Sequence, residues 1–209
     1  ELKDVPISVT VLDDTMIKQL VATNLGDLDG FVPGLEITSS SITQPRYSIR
    51  GISTGDFGVG TDSAVGVYID GVYAARSGGA MLAFNDVQRV EVLKGPQGTL
   101  FGRNTSAGAI SVITNKPSEE NEGKLVLRAG NQGTTYLYGL YNFAITDSSA
   151  VRASYVSNES DGWLKDSATG KYLNPESNWA SKLAWRTSFD NGYVLDVSWD
   201  HEVVDQLAR

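Results

Sequence analysis

Cysteine is absent from the 209 residues. That removes disulfides, thiolate nucleophiles and Cys-ligated zinc together, and it leaves the redox compartment open, because a chain without thiols suits either side. No run of about 18 apolar residues occurs, which excludes a transmembrane helix but is blind to strands whose apolar residues alternate. Histidine occurs once, at His201, and Ser106 in Asn104-Thr105-Ser106-Ala107-Gly108 lacks the leading glycine of a nucleophile elbow, so a hydrolytic triad has no carrier. Gly98-Thr99-Leu100-Phe101-Gly102-Arg103-Asn104 lacks the Gly-Lys-Ser/Thr ending of a phosphate loop. Asp56, Asp62 and Asp70 lack calcium-hand spacing. Carboxylate pairs such as Asp27 with Asp29, or Asp196 with Asp200, have the chemistry for glycoside hydrolysis but read more simply as solvated or inward-facing polar groups. No catalytic group, metal site or cofactor is expected, and the chain does not read as an enzyme. Positive charge is short too: 17 Lys and Arg against 25 Asp and Glu give a net charge of −8, so nucleic acid is not an expected partner. The opening Glu1-Leu2-Lys3-Asp4-Val5-Pro6 has neither an initiator Met nor a basic leader and reads as a processed or trimmed end.

What is present is glycine, 22 residues against 6 prolines, the mark of a β-rich chain with many special turns. To about Pro117 the chain mixes short strand-like runs, weak helical patches and glycine turns, as an α+β domain does. Ile7–Val11 alternates. Asp13 and Asp14 are N-cap candidates before Met16–Leu20, and Asn24 can cap a second short helix ending near Phe31-Val32-Pro33-Gly34. Strands are expected at Arg46–Arg50, Val65–Ile69, Val87–Leu93 and Ala109–Thr114, and Asp70-Gly71 between Tyr68-Ile69 and Val72-Tyr73 predicts a type I′ hairpin.

From Gly123 the period becomes two. Leu125, Leu127 and Ala129 alternate with Lys124, Val126 and Arg128. Leu137, Tyr141, Phe143 and Ile145 share a face, although Tyr136, Tyr138 and Leu140 blur its opposite. Val151, Ala153 and Tyr155 alternate with Arg152, Ser154 and Val156. Trp179, Leu183, Trp185 and Phe189 oppose Lys182, Ala184, Arg186 and Ser188, while Tyr193, Leu195, Val197 and Trp199 oppose Asp196, Ser198 and Asp200. A soluble sandwich also alternates. Two features favour membrane strands: aromatics at expected strand ends (Tyr141, Phe143, Phe189, Tyr193, Trp199), as in a girdle, and tight connections at Asp147-Ser148-Ser149 and Asp190-Asn191-Gly192 opposed to a long polar one from Asn158 to Asn178. Asn131-Gln132-Gly133 is a tight turn on the long-loop side. About five strands with two open edges and an apolar outer face are expected to be part of a larger barrel, since closed barrels avoid unpaired edges in lipid.

The run Arg89-Val90-Glu91-Val92-Leu93-Lys94-Gly95-Pro96-Gln97-Gly98-Thr99-Leu100-Phe101-Gly102-Arg103-Asn104, continued by Ala107-Gly108-Ala109-Ile110-Ser111-Val112-Ile113-Thr114-Asn115-Lys116-Pro117, closely resembles the plug signature of TonB-dependent outer-membrane receptors. Asp4–Val11, Val32-Pro33-Gly34-Leu35, Ile49-Arg50-Gly51-Ile52 and Val67–Tyr73 follow in family order. The resemblance implies a plug domain over 1–117 with a small mixed sheet, then 118–209 as the first strands, about five, of a transmembrane β-barrel in the bacterial outer membrane. It implies an active importer of a scarce bulky nutrient, a ferric siderophore being the commonest cargo, with TonB as energy-coupling partner and outer-membrane lipid around the barrel. A passive porin-like channel or surface-binding barrel with a blocking lumen domain is the alternative. The TonB box expected upstream of the plug is not found, and Gly108-Ala109-Ile110-Ser111 replaces the family's usual Gly-Gly-x-Ile-Asn. In physical terms Gly95, Gly98, Gly102 and Gly108 are spaced for positive-φ turns or close chain approach. Charges on strands are usually solvated; the resemblance assigns Arg50 and Arg89, with Glu91 and Lys94, to a cluster between plug and barrel wall. It also maps apical ligand loops onto Ser53–Thr61 and Tyr73–Gly79, where Asp56, Phe57, Tyr73 and Arg76 are the expected ligand contacts, aromatic and charged tips on glycine loops being suited to chelates.

Overall fold

The structure is a computed structural model that describes residues 7–39, 45–54, 62–74, 84–162, 164–165, 167, 170, 172–173 and 175–205. The chain divides into two compact units, Glu1–Asn115 and Lys116–Arg209.

In the first unit β1 (Ser8–Asp13) runs directly into α1 (Asp14–Gln19) because Asp13 serves as the N-cap, its Oδ1 accepting the Met16 N–H at 2.8 Å. Asn24 and Asp27 form a reciprocal capping box around a single 3-10 turn at Leu25–Leu28, with Asn24 Oδ1 accepting from Gly26 N at 2.7 Å and Asp27 Oδ2 accepting from Asn24 N at 3.2 Å. That helix stops earlier than its sequence suggests. Gly34, at φ +78°, instead turns the chain into β2 (Leu35–Ser39), a strand too short for its alternation to announce it.

The next strands are β3 (Pro45–Ile49), β4 (Ile52–Ser53), β5 (Val65–Ile69), β6 (Val72–Tyr73), β7 (Val87–Lys94) and β8 (Gly108–Thr114). They form a small sheet β2-β3-β4 and a five-stranded mixed sheet β1-β7-β8-β5-β6, in which only β5 and β8 are parallel. The Asp70-Gly71 hairpin has φ +47° and +85°, the type I′ signature expected. Arg50, expected on a strand, is instead the first central residue of a second such turn, with φ +53° followed by Gly51 at +77°, and its N–H bonds Gly34 O at 2.7 Å. Leu12, Leu25, Leu28, Ile49, Val90, Val92 and Ile110 are buried in one cluster that draws on both sheets and the capped turns.

The signature glycines divide by cause. Gly95 and Gly102 take φ +107° and +77°. A Cβ on Gly108 would stand 2.3 Å from Leu93 O and 2.7 Å from Ile49 Cδ1, so only glycine lets β7 and β8 approach there. Gly98 needs neither: it opens the short α2 (Gly98–Phe101) with nothing near its missing side chain.

In the second unit β9 (Glu122–Ala129), β10 (Thr135–Thr146), β11 (Ser149–Ser160), β14 (Glu176–Ser188) and β15 (Val194–Asp205) form an antiparallel meander, while β12 (Leu164–Lys165) and β13 (Tyr172–Leu173) pair as a minor hairpin within the long connection. Apart from the bulge at Ala144–Thr146, register partners share parity, as in Tyr141↔Ala153, Ala153↔Leu183 and Leu183↔Trp199. Odd positions therefore make one face and even positions the other. The even face carries Arg152 with Glu122 at 3.1 Å, Lys182 with Asp200 at 2.9 Å and Arg186 with Asp196 at 3.7 Å. Tyr138 and Leu140 are buried on it, which is why its polarity looks blurred in the sequence.

The odd face exposes Leu125, Leu127, Phe143, Leu183, Trp185, Val197 and Trp199. Its aromatics are not all at strand ends. Phe189 and Tyr193 flank the Asp190–Gly192 turn as expected, but Tyr141 and Trp199 lie mid-strand in one row, where the Tyr141 ring sits 3.3 Å from the place of a Gly123 Cβ. Tyr155, Trp179, His201 and Trp199 make a run of ring contacts, 6.1, 5.2 and 5.7 Å between successive centroids, nearer the long-connection end. The turn at Gln132-Gly133, with φ +58° and +65°, is tight as expected on that side.

Such a face cannot rest in water. Leu125, Leu127 and Trp199 are 69%, 71% and 58% exposed, and β9 and β15 have a neighbour on one side only, so the prediction is self-association of residues 1–209 without detergent and a soluble monomer for residues 1–117. Size-exclusion chromatography of the two pieces checks it; a clean monomer for the longer one overturns the membrane-strand reading.

Candidate functional site

Three connections of the first unit converge at one end of its mixed sheet. The segment that follows β4 enters β5 through Asp62–Ala64. Beyond the Asp70-Gly71 turn the chain comes back along β5, with the Ala74 N–H on Val67 O at 2.8 Å. The signature loop enters β8 beside β5, Ala107 N–H bonding Ala64 O at 2.9 Å and Gly108 standing in register with Val65. Asn104 and Thr105 cross directly over Gly66, where a Cβ would meet Thr105 Cγ2 at 2.8 Å and Asn104 O at 3.1 Å. The stems of both expected ligand loops therefore leave at the Val65 end of β5.

One hydroxyl closes the first stem. Thr54 Oγ1 accepts the Ala64 N–H at 2.7 Å and donates to Asp62 O at 3.3 Å. Ser63 Oγ donates to Val65 O at 2.8 Å beside it. The second stem ends in Tyr73, whose ring packs on Tyr68, 5.4 Å between centroids, and whose hydroxyl accepts from Asn104 Nδ2 at 3.0 Å. Tyr68 donates to Phe101 O at 2.6 Å; burial pushes its phenol pKa up and the neighbouring Tyr73 adds to the shift, so Tyr68 stays a protonated donor.

Of the four expected ligand contacts, Asp56, Phe57 and Arg76 lie outside the described residues, and Tyr73 is held at the convergence by Asn104 and Tyr68. The expected charge cluster is placed in parts. Arg89 and Glu91 share one face of β7 and pair at 2.6 Å, with the Arg89 Nη1 also on Gln88 Oε1 at 2.6 Å. Lys94 has the opposite parity on that strand. Arg50 Nη1 lies 3.9 Å from where a Cβ on Gly95, the residue after β7, would stand. Sequence reasoning misses Thr54 and Asn104. Asn104 carries a signal, since an Asn after Gly-Arg tolerates its left-handed φ of +69°; Thr54 carries none. Among the described residues no group of three or more His, Asp or Glu gathers to hold a metal, and no helix is long and apolar enough to cross a membrane, which says nothing of strands.

A small mixed-sheet domain whose loop stems leave at one sheet end, followed in sequence by strands apolar on one face and charged on the other, has the order of parts of an outer-membrane receptor with a plug domain. Comparison with known proteins gives the family. Residues 1–109 match the TonB-dependent Receptor Plug Domain. The pesticin receptor of Yersinia pestis is 35% identical over 119 residues, 56% of this chain and 17% of that protein. The vitamin B12 transporter BtuB of Vibrio vulnificus is 32% identical over 184 residues, 84% of this chain and 29% of that protein. The crystal structure of the ferric yersiniabactin uptake receptor FyuA from Yersinia pestis superposes with a TM-score of 0.85 at 25% identity, over 94% of this chain and 31% of that one. The chain belongs to the TonB-dependent receptors of the bacterial outer membrane, which are receptors and transporters rather than enzymes. It spans between 17% and 31% of the length of these relatives.

Replacing Thr54 by Val keeps its shape and removes both bonds at the loop neck, at an expected cost of about 1–2 kcal/mol. Hydrogen exchange at the Ala64 amide is the measurement. Thr54→Val is expected to accelerate it at least tenfold while Val90 and Val92 keep their protection, and Thr54→Ser is expected to restore it.

Proposed function

We propose that the chain is the plug, residues 1–117, and the first five barrel strands, within 118–209, of an active importer that takes up a scarce bulky nutrient through the outer membrane, coupled to TonB. The observation that carries this reading is the succession, in one polypeptide, of a plug-family domain and a meander whose odd face is apolar and whose even face is charged. A domain that only blocked a pore would have no need of two loop stems brought to one sheet end. A ferric siderophore is the favoured cargo, because a relative similar over most of the chain is a ferric yersiniabactin uptake receptor; cobalamin is the other cargo that a relative's name supports.

In this reading cargo rests on the loops at the Val65 end of β5, with Asp56, Phe57, Tyr73 and Arg76 as contacts, and TonB draws the plug so that cargo passes. Arg50, Arg89, Glu91 and Lys94 supply charge with which the plug meets polar groups of the barrel wall. Solvated ion pairs are worth only about 0–1 kcal/mol, so solvated charge contacts position a plug without preventing its displacement.

Import by the full-length receptor is expected to require both TonB and the proton gradient. Ferric-siderophore uptake that persists after the gradient is collapsed points to the passive channel instead. Alanine at Asp56, Phe57, Tyr73 and Arg76 together is expected to weaken cargo binding at least tenfold; unchanged affinity in the full-length receptor removes these four from the site.

A further inference from the structure

Asn142 is fully buried, 0% exposed, and every polar atom of its side chain is engaged by the segment that leads into β9. Its Oδ1 accepts the Ser118 N–H at 3.1 Å, and its Nδ2 donates to Ser118 O at 2.8 Å and Glu120 O at 2.6 Å. Asn121 completes the attachment. The backbone ladder between β9 and β10 ends at Glu122↔Asn142, and beyond that point Asn121 Oδ1 takes the Ala144 N–H at 2.9 Å, so a side chain extends the ladder where the strand has stopped. Ser118–Asn121 is thus strapped to β10 by four hydrogen bonds, three of them from one residue.

A separate set of bonds secures the end of the first unit. Thr114 donates its N–H and hydroxyl to Asp70 Oδ1 and Oδ2 at 2.9 and 2.6 Å. Asn115 donates its N–H to Asp86 O at 2.9 Å and its Nδ2 to Asp86 Oδ1 at 2.9 Å. Both aspartates sit at positive φ, +47° and +57°, a conformation that costs on the order of 1 kcal/mol or more away from glycine. Between the two secured stretches lie only Lys116 and Pro117. Proline carries no N–H and biases the residue before it to extended conformations, so this pair joins neither set of bonds by continuing a ladder.

We propose that Asn142, helped by Asn121, is the residue that anchors the plug's C-terminal tether to the first barrel hairpin, so that displacement of the plug ends at Lys116–Pro117 and the strands beyond do not peel. The displacement in the living cell rests on the import reading above; the anchor itself does not.

The test pulls the full-length receptor in a lipid bilayer from its N-terminus with a cantilever, which needs neither TonB nor cargo. In the unaltered protein the last plug event is expected to end at Lys116. Asn142→Leu keeps the branched shape and removes all three bonds, and its last event is expected to lengthen by residues 117–120, up to the remaining Asn121–Ala144 bond, about 14 Å at roughly 3.6 Å per residue. Asn142→Asp keeps the acceptor for Ser118 but sets a carboxylate against two carbonyls, and the same lengthening is expected. Cargo affinity and heat-dependent gel mobility report whether the variants fold. A folded Asn142→Leu receptor with an unchanged final length overturns the proposal. Hydrogen exchange of the unaltered receptor tests it without any variant: the Ser118 and Ala144 amides are expected to be protected at least a hundredfold, and free exchange at both overturns it. Uptake that proves independent of TonB with an unchanged anchor refutes the import reading alone.

Discussion

A backbone N–H or C=O that enters hydrocarbon has no water to bond, and that requirement organises the meander of β9, β10, β11, β14 and β15. It is met by long strands, twelve or thirteen residues in β10, β11, β14 and β15, whose register is shifted only at the Ala144–Thr146 bulge. Strict register fixes parity, and parity makes two faces from one sequence: Leu125, Leu183, Trp185 and Trp199 to one side, Arg152, Lys182 and their carboxylates to the other. Where the ladder runs out, at the start of β9, a side-chain amide continues it. The meander and its strap answer the same demand.

The first unit solves a different problem, that of building a small domain from short strands. Its largest sheet has only five strands, two of them parallel. Close chain approach compensates. Gly66 and Gly108 let neighbouring segments pass at distances a methyl group would forbid, and Asp13, Asn24, Asp27, Asp70 and Asp86 bind backbone N–H or side-chain donors with their own side chains or carbonyls. The same economy brings the signature loop against β5, which is how loop stems distant in sequence reach one sheet end.

Much of this architecture is legible in the amino-acid order alone. Alternation at β14 and β15 is long enough to give face and partner together, and Asp70-Gly71 has a turn chemistry that admits one geometry. The Asp13 and Asn24 caps are readable because a short polar side chain before an apolar run has one local use. What escapes depends on groups far apart in sequence. Nothing in Thr54 announces that its hydroxyl will bridge Asp62 and Ala64, and nothing in Asn142, in the middle of a membrane strand, announces Ser118. Arg50 falls one step beyond its strand because Arg-Gly reads equally as a strand end and as a hairpin turn. Gly98 groups with its neighbours by spacing alone, and spacing does not reveal φ.

The pairing of β1 with β7 has a consequence in time. Ser8 bonds opposite Lys94 and Asp13 opposite Arg89, so β1 must wait for β7 before it has an edge to join, and β5 likewise waits for β8. The meander needs no such delay, since each of its strands pairs with the next one made or across a single loop. Closing distant segments loses chain entropy before any contact compensates, and sheets of that kind assemble slowly. The plug's mixed sheet is therefore the slower of the two to form, and until β7 and β8 are made the edges of β1 and β5 stand open.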